Sequence, residues 1–146
     1  MAFIQPCFIK KNNSQLRLAL HNLGYENARN DTVGNCIATT TTTQHYNTIS
    51  QYYVDSNDPR ITWKENRIDC ETNEELFLAL AALRDDTNEN QWFIAQRTMW
   101  DENYNGEITV YYEENEWLMW DYYSFMEDMP SDFRKATVEE IIEHFK

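Results

Sequence analysis

The sequence predicts an α+β fold, a mainly antiparallel or mixed sheet with about three helices. Three observations carry that expectation. Thr72 followed by Glu75 forms a capping box ahead of eight consecutive apolar residues, 76–83, none of them β-branched. Such a helix is apolar on nearly every face, so it has to be buried against a sheet on one side and another layer on the other. Asn105-Gly106, joining two stretches that read as strands, 91–100 and 107–112, is the strongest short hairpin signal a sequence offers. Strands and helices alternate too loosely for a doubly wound parallel sheet, which leaves hairpins and helices sharing one architecture.

In chain order, 3–10 reads as a strand in which Pro6 marks an edge or a break. Asn12 or Asn13 caps a helix over 14–23, Gly24 supplies its left-handed stop, and Leu16, Ala19, Leu20 and Leu23 share one face. Strands follow at 35–38, at the threonine run 39–43 and at 48–54, then a turn cluster at 55–59 and a further strand at 61–63. The stretch 116–129 is ambiguous. Trp117, Trp120 and Tyr123 recur every three residues as in a helix, while the aromatic content favours a strand. Thr137 opens a last helix that repeats the T-x-E-E pattern of 72–75.

The pattern L-x-L-A-L-x-x-L occurs at 16–23 and again at 76–83, each time between strand-like stretches. Two readings stand: an internal duplication of units 3–38 and 67–95, or the coincidence of two leucine-rich helices. The length of 146 residues suits one domain, 1–146. No apolar run approaches the ~18 residues of a membrane span, and the N-terminal stretch, interrupted by Gln5 and Pro6, does not read as a secretory signal. Three widely spaced cysteines point to reduced thiols and a cytoplasmic setting.

Charge is the most uneven feature. Of a net −13, residues 98–133 contribute ten carboxylates and no lysine or arginine. A field of that sign disfavours free nucleic acid and anionic membranes and favours a cation or a basic protein. With three glycines in the whole chain there is no glycine-rich phosphate loop, and P-loop, Rossmann, G-x-S-x-G and H-E-x-x-H signatures are absent.

Four constellations could carry chemistry. Asp101, Asn103 and Asn105, with Gly106 and Ile108, resemble the opening of an EF-hand calcium loop, although Tyr112 stands where the bidentate glutamate belongs. Cys7, Cys36 and Cys70 with His45 lack the paired spacing of a zinc site, and buried cysteine is an ordinary core residue. A Cys–His nucleophile from Cys36 or Cys70 with His21 or His45 rests on composition alone. Glu114 and Glu116 beside Trp100, Trp117 and Trp120 would suit a carbohydrate, but carboxylates two apart stand too close to flank a glycosidic bond. His144 most simply meets the dipole of the final helix.

The stretches Arg67-Ile68-Asp69-Cys70, Thr72-Asn73-Glu74-Glu75-Leu76-Phe77 and 135–146 resemble small uncharacterised proteins of gut Bacteroidales and their phages or mobile elements. The resemblance implies an accessory protein and carries over no site residues. A phage setting implies, by analogy, an inhibitor of host defence. The sequence thus points to a non-catalytic protein that binds a basic partner through Glu113, Glu114, Glu116, Trp117, Trp120 and Asp121. In one form the carboxylates stand in for phosphates and occupy a nuclease's basic groove. The alternative is a small-molecule or calcium-binding module. The all-round apolar helix would also fit a homodimer interface.

Overall fold

The computed structural model describes residues 3–27, 34–39, 47–52, 67–85, 87–120 and 132–146. The fold is α+β. Its elements are β1 (Cys7–Ile9), α1 (Ser14–Leu23), β2 (Glu26–Asn27), β3 (Cys36–Thr39), β4 (Thr48–Tyr52), β5 (Ile68–Asp69), α2 (Glu74–Ala81), β6 (Trp92–Ala95), β7 (Met99–Glu102), β8 (Ile108–Tyr112), β9 (Trp117–Met119), β10 (Phe133–Lys135) and α3 (Val138–Phe145). The residues expected to form one domain group into two compact units, 1–86 with 138–146, and 87–137. No helix among the described residues is long and apolar enough to cross a membrane.

The first unit is a mixed five-stranded sheet in the order β2-β4-β3-β1-β5. Pro6 marks a break and not an edge. It lies just before β1, which runs antiparallel to β3 on one side and parallel to β5 on the other. Its missing N–H therefore costs the ladder nothing, and its carbonyl accepts from Ile68 N at 3.1 Å. Being interior, β1 is buried at all three positions, as is β3 at all four.

Helix α2 is buried as its composition requires, with Leu76, Phe77, Ala79, Leu80 and Ala81 inside. It packs on β1 and meets both α1 and α3, so sheet and helices together cover its faces. Tyr25 anchors the other side of the same core, donating its hydroxyl to the Ala81 carbonyl at 2.6 Å. Helix α1 buries Leu16 and Leu20, with Ala19 and Leu23 half-buried at the margin of the same stripe. It ends at Gly24, whose φ of 116° suits glycine and whose N–H bonds the His21 carbonyl.

The caps refine the expected boundaries. Asn13 Oδ1 accepts from Leu16 N at 2.8 Å, and Asn73 Oδ1 accepts from Leu76 N at 3.1 Å. The cap of α2 is thus Asn73 and not Thr72, which is exposed one residue too early to reach the first turn. Asn73 is also pinned from its other end, its Nδ2 donating to the Phe145 carbonyl at 2.5 Å.

The sixty-residue offset survives in these caps and in the parallel strands that precede them, β1 and β5. It does not survive beyond the helices. After α1, the expected strand at 35–38 is β3, which joins the sheet beside β1, whereas 92–95, its counterpart after α2, is β6 of the second unit. The 39–43 strand is described only at Thr39, within β3, and β4 is described to Tyr52. The features expected at 55–59 and 61–63 lie outside the described residues.

In the second unit, β6 is the middle strand of an antiparallel sheet ordered β10-β6-β9, and β7 pairs with β8 in a separate hairpin. The expected continuous strand over 91–100 is therefore two strands, interrupted at Gln96-Arg97-Thr98. Arg97 turns out of the ladder to hold Asp132 with two hydrogen bonds, 2.7 and 3.0 Å. The ambiguous 116–129 stretch begins as the strand β9, and 121–130 lies outside the described residues.

The cap assignment is testable by chemical denaturation. Asn73→Ala should lower stability by about 1–2 kcal/mol, since it removes an N-cap and a second hydrogen bond. Thr72→Ala should stay within about 0.5 kcal/mol of the parent. The reverse order of effects would restore Thr72 as the cap.

Candidate functional site

Alternation along β6 divides its side chains between two faces. Phe93 and Ala95 enter a small core with Phe133, against which Met99, Tyr112, Leu118 and Trp120 pack. Trp120 meets Phe93 edge-on at 6.4 Å, and Tyr112 meets Phe133 at 5.1 Å. On the opposite face Trp92 meets Trp117 at 6.1 Å. Trp117 and Trp120, expected as exposed anchors, are therefore half-buried and engaged with the sheet. Their spacing of three in the sequence carries no information about this, because strand and turn place them on different faces.

The exposed aromatic and aliphatic surface lies instead on the β7–β8 hairpin. Every residue from Trp100 to Tyr111 is exposed. Trp100 retains 55% of its surface in solvent, Tyr104 98%, Ile108 62% and Val110 48%. Register sets Trp100 opposite Val110 and Glu102 opposite Ile108, so Trp100, Ile108 and Val110 share one face. The signal for this in the sequence is the polar run Asp101-Glu102-Asn103 with no cation nearby, whereas Glu107-Ile108-Thr109-Val110 alternates as a strand with one buried face would and gives no sign of its exposure.

The hairpin turns through a tight polar loop. Gly106 N donates to the Asn103 carbonyl and Asn103 N to the Glu107 carbonyl, both at 3.0 Å, with Gly106 at φ 81°. This is the three-residue loop with a left-handed glycine and a bulge, one residue longer than a two-residue Asn-Gly turn. Asn103 Oδ1 is occupied by the backbone N–H groups of Asn105 and Glu107, at 2.9 and 3.0 Å, and Asp101 Oδ1 by Glu102 N at 2.9 Å. The flanks of the loop are strands, where an EF-hand has helices. Two of the three oxygens counted as calcium ligands, those of Asp101 and Asn103, thus serve the hairpin's own backbone.

At the other end of β8 the chain reverses at 113–116. Glu116 N donates to the Glu113 carbonyl at 3.0 Å, Asn115 takes φ 71°, and Asn115 N bonds the Ala95 carbonyl at 2.8 Å. Glu116 carboxylate accepts from Glu113 N at 2.8 Å. Glu114 and Glu116 consequently sit on a turn and not two apart on one strand face. Val110, Tyr111, Glu113, Glu114, Asn115 and Glu116 line an open concavity of ≈ 470 Å³. Asp121 lies outside the described residues.

Charge is unbalanced here. Asp101, Glu102, Glu107, Glu113, Glu114 and Glu116 are all exposed and form no ion pair with a described residue. Asp132 alone of the described carboxylates in 98–133 is paired, and its hydrogen bonds from Arg97 hold it below the usual aspartate range.

Comparison with protein-family models, curated proteins and solved structures finds no match to the chain. The site is thus read from its own geometry.

The three cysteines are buried and free. Cys7 N donates to Thr39 Oγ1 at 3.0 Å, and burial pushes its thiol up from its usual range. Among the described residues no three His, Cys, Asp or Glu side chains are grouped as a metal site. His45 lies outside the described residues, and His144 is exposed against the Phe145 ring at the end of α3. Helix α2, considered above as a dimer face, is covered by its own unit.

Two predictions follow from this packing. Trp120→Ala should lower stability by about 2 kcal/mol in a urea titration, below the 3–5 typical of fully buried Trp; Trp100→Ala should change it by less than about 0.5 kcal/mol. The Asp132 contribution is present above the ordinary aspartate pKa of about 3.9 and is lost as pH falls through the depressed folded value. The melting-temperature advantage of the parent over Asp132→Asn should therefore shrink steadily on acidification below about pH 4. A constant difference down to about pH 2 would mean the pair is not formed.

Proposed function

We propose that this chain is a non-catalytic interaction protein whose β7–β8 hairpin docks a basic protein. The observation that carries the reading is the coincidence of exposed Trp100, Tyr104, Ile108, Val110 and Tyr111 on the hairpin with six carboxylates, three on the hairpin and three in the 113–116 turn, that form no ion pair with a described residue. Large amphipathic side chains supply contact area at low entropic cost, and unopposed charge steers a cationic partner into place. Two-stranded ribbons are marginal in water, so a face this apolar gains stability when covered.

The distribution of charge favours a protein over a phosphate-binding groove as the partner. The carboxylates gather toward the hairpin tip (Asp101, Glu102, Glu107) and the 113–116 turn, with the apolar strip between them. A surface built to imitate a nucleic-acid backbone would need charge at regular intervals and few exposed aliphatics. Glu113, Glu114 and Glu116 keep the partner-binding role expected for them. Trp100, Ile108 and Val110 take the role of anchors in place of Trp117 and Trp120.

The test compares affinity capture by the parent, by the triple variant Glu113→Lys, Glu114→Lys, Glu116→Lys and by Trp100→Ala. Proteins retained by the parent and lost by both variants should be basic, and their retention should fall as salt rises toward about 0.5 M. Retention unchanged in the triple variant, with circular dichroism showing the fold intact, would overturn the reading.

A further inference from the structure

The hydrogen-bond phase of the hairpin shows which of its backbone groups point outward. The Asn103–Glu107 bond makes that pair a bonded one, and in antiparallel ladders bonded and non-bonded pairs alternate. Asp101 and Thr109 therefore direct their backbone groups into the hairpin, while Glu102, Trp100, Ile108 and Val110 direct theirs outward. On β7, one of these outward donors is already held, Glu102 N by Asp101 Oδ1 at 2.9 Å. On β8, no described residue bonds the outward groups of Ile108 or Val110. An open edge of this kind is a template for another strand, and proteins usually blunt it with a central charge, a proline or a cover. β8 reads Ile-Thr-Val-Tyr-Tyr and has none of these among the described residues.

We propose that the outer edge of β8 is a strand-addition site for an extended, cationic segment of a partner protein. The proposal rests on the docking reading above and adds its binding mode. Main-chain bonds to Ile108 and Val110 would supply register-specific affinity, and alternate side chains of the incoming strand would supply selectivity. On one face those side chains meet the apolar strip of Trp100, Ile108 and Val110, which selects aliphatic residues. On the other they meet the face of Thr109 and Asp101. At the end of the edge lies the open concavity lined by Val110, Tyr111, Glu113, Glu114, Asn115 and Glu116, whose three glutamates suit the head of an arginine or lysine.

Charge decides which strand can occupy the edge. Residues 87–137 carry 3 basic and 11 acidic side chains, so two hairpins meeting edge to edge would oppose like charges. A second copy is disfavoured and a cationic segment of alternating character is favoured.

The test uses the full isotope-labelled chain and a synthetic hexapeptide of alternating arginine and valine, blocked at both ends. Amide hydrogen exchange at Ile108 and Val110 should slow by about tenfold or more on adding the peptide, with Thr109 unchanged. N-methylation of alternate amides, made in both phases, keeps the charge and blocks strand pairing in one phase, and that peptide should bind about tenfold more weakly. If both methylated peptides bind as tightly as the parent peptide and Ile108 and Val110 stay unprotected, strand addition is overturned while docking of a basic surface stands. If no peptide binds, this mode and the cationic reading of the site fall together. Protection that rises with protein concentration alone would identify a second copy as the occupant and overturn the proposal.

Discussion

The constraint on which the first unit depends is the burial of α2. A helix with apolar residues around its whole circumference cannot rest on one sheet face, because any uncovered side would leave leucine or phenylalanine in water at roughly 1.5–3 kcal/mol per side chain. Three elements meet the demand: β1 beneath, α1 alongside and α3 from the far end of the chain. The last is the telling one. Residues 138–146 return to this unit after the 51 residues of a different unit, and Asn73 fastens the return by bonding the Phe145 carbonyl. A single asparagine thus caps the helix that needs covering and ties down the helix that covers it.

The second unit has no comparable resource. Its sheet has three short strands and its core centres on Phe93, Ala95 and Phe133. Half-buried aromatics complete it, with Trp120 and Tyr112 each meeting a core ring edge-on. The hairpin leans on this core through Met99 and Tyr112 at its base and leaves the rest of its length in solvent. Exposure of the apolar strip is therefore a consequence of geometry: a two-stranded ribbon has two faces, and this unit has no third layer among its described residues to cover either.

How much of this was legible in the sequence depended on the range of the interaction involved. The helices and the ends of α1 were readable because they follow from local chemistry, an asparagine three residues ahead of the amide it caps and a glycine that tolerates φ 116°, while the α2 cap was read one residue early, at Thr72 in place of Asn73. The hairpin was readable from Asn105-Gly106 for the same reason. What failed were features set by non-local partners. Pro6 left an edge and a break both open, and it took the distant β5, which makes β1 an interior strand, to select the break. The run 91–100 divides at the polar triplet Gln96-Arg97-Thr98, where Arg97 meets Asp132, thirty-five residues on in sequence. Trp117 and Trp120 had the chemistry of binding anchors, but long-range pairing with 92–95 turned them toward the sheet. The acidic bias itself was visible at once, since charge counts need no fold. Which apolar residues it surrounds was not.

Acidity and the open edge are best understood together. An uncovered strand with aliphatic side chains at its centre is a hazard for any protein, since it pairs with whatever presents a matching edge. The usual remedy is a charge placed in the strand, which closes the edge to every partner alike. In this chain β8 itself carries no charge from Ile108 to Tyr112, and the carboxylates stand on β7 (Asp101, Glu102), at Glu107 and in the 113–116 turn, where they repel at the distance of a neighbouring chain but leave the hydrogen-bonding groups of β8 accessible. At physiological ionic strength that repulsion extends about 8 Å, roughly two strand spacings, so it acts on a second copy before the edges can zip together. A strand of opposite charge feels the same field as attraction. Placing the charge beside the edge instead of within it thus turns a general protection into a selective one, and selectivity by sign is what the cation-free run from 98 to 133 supplies.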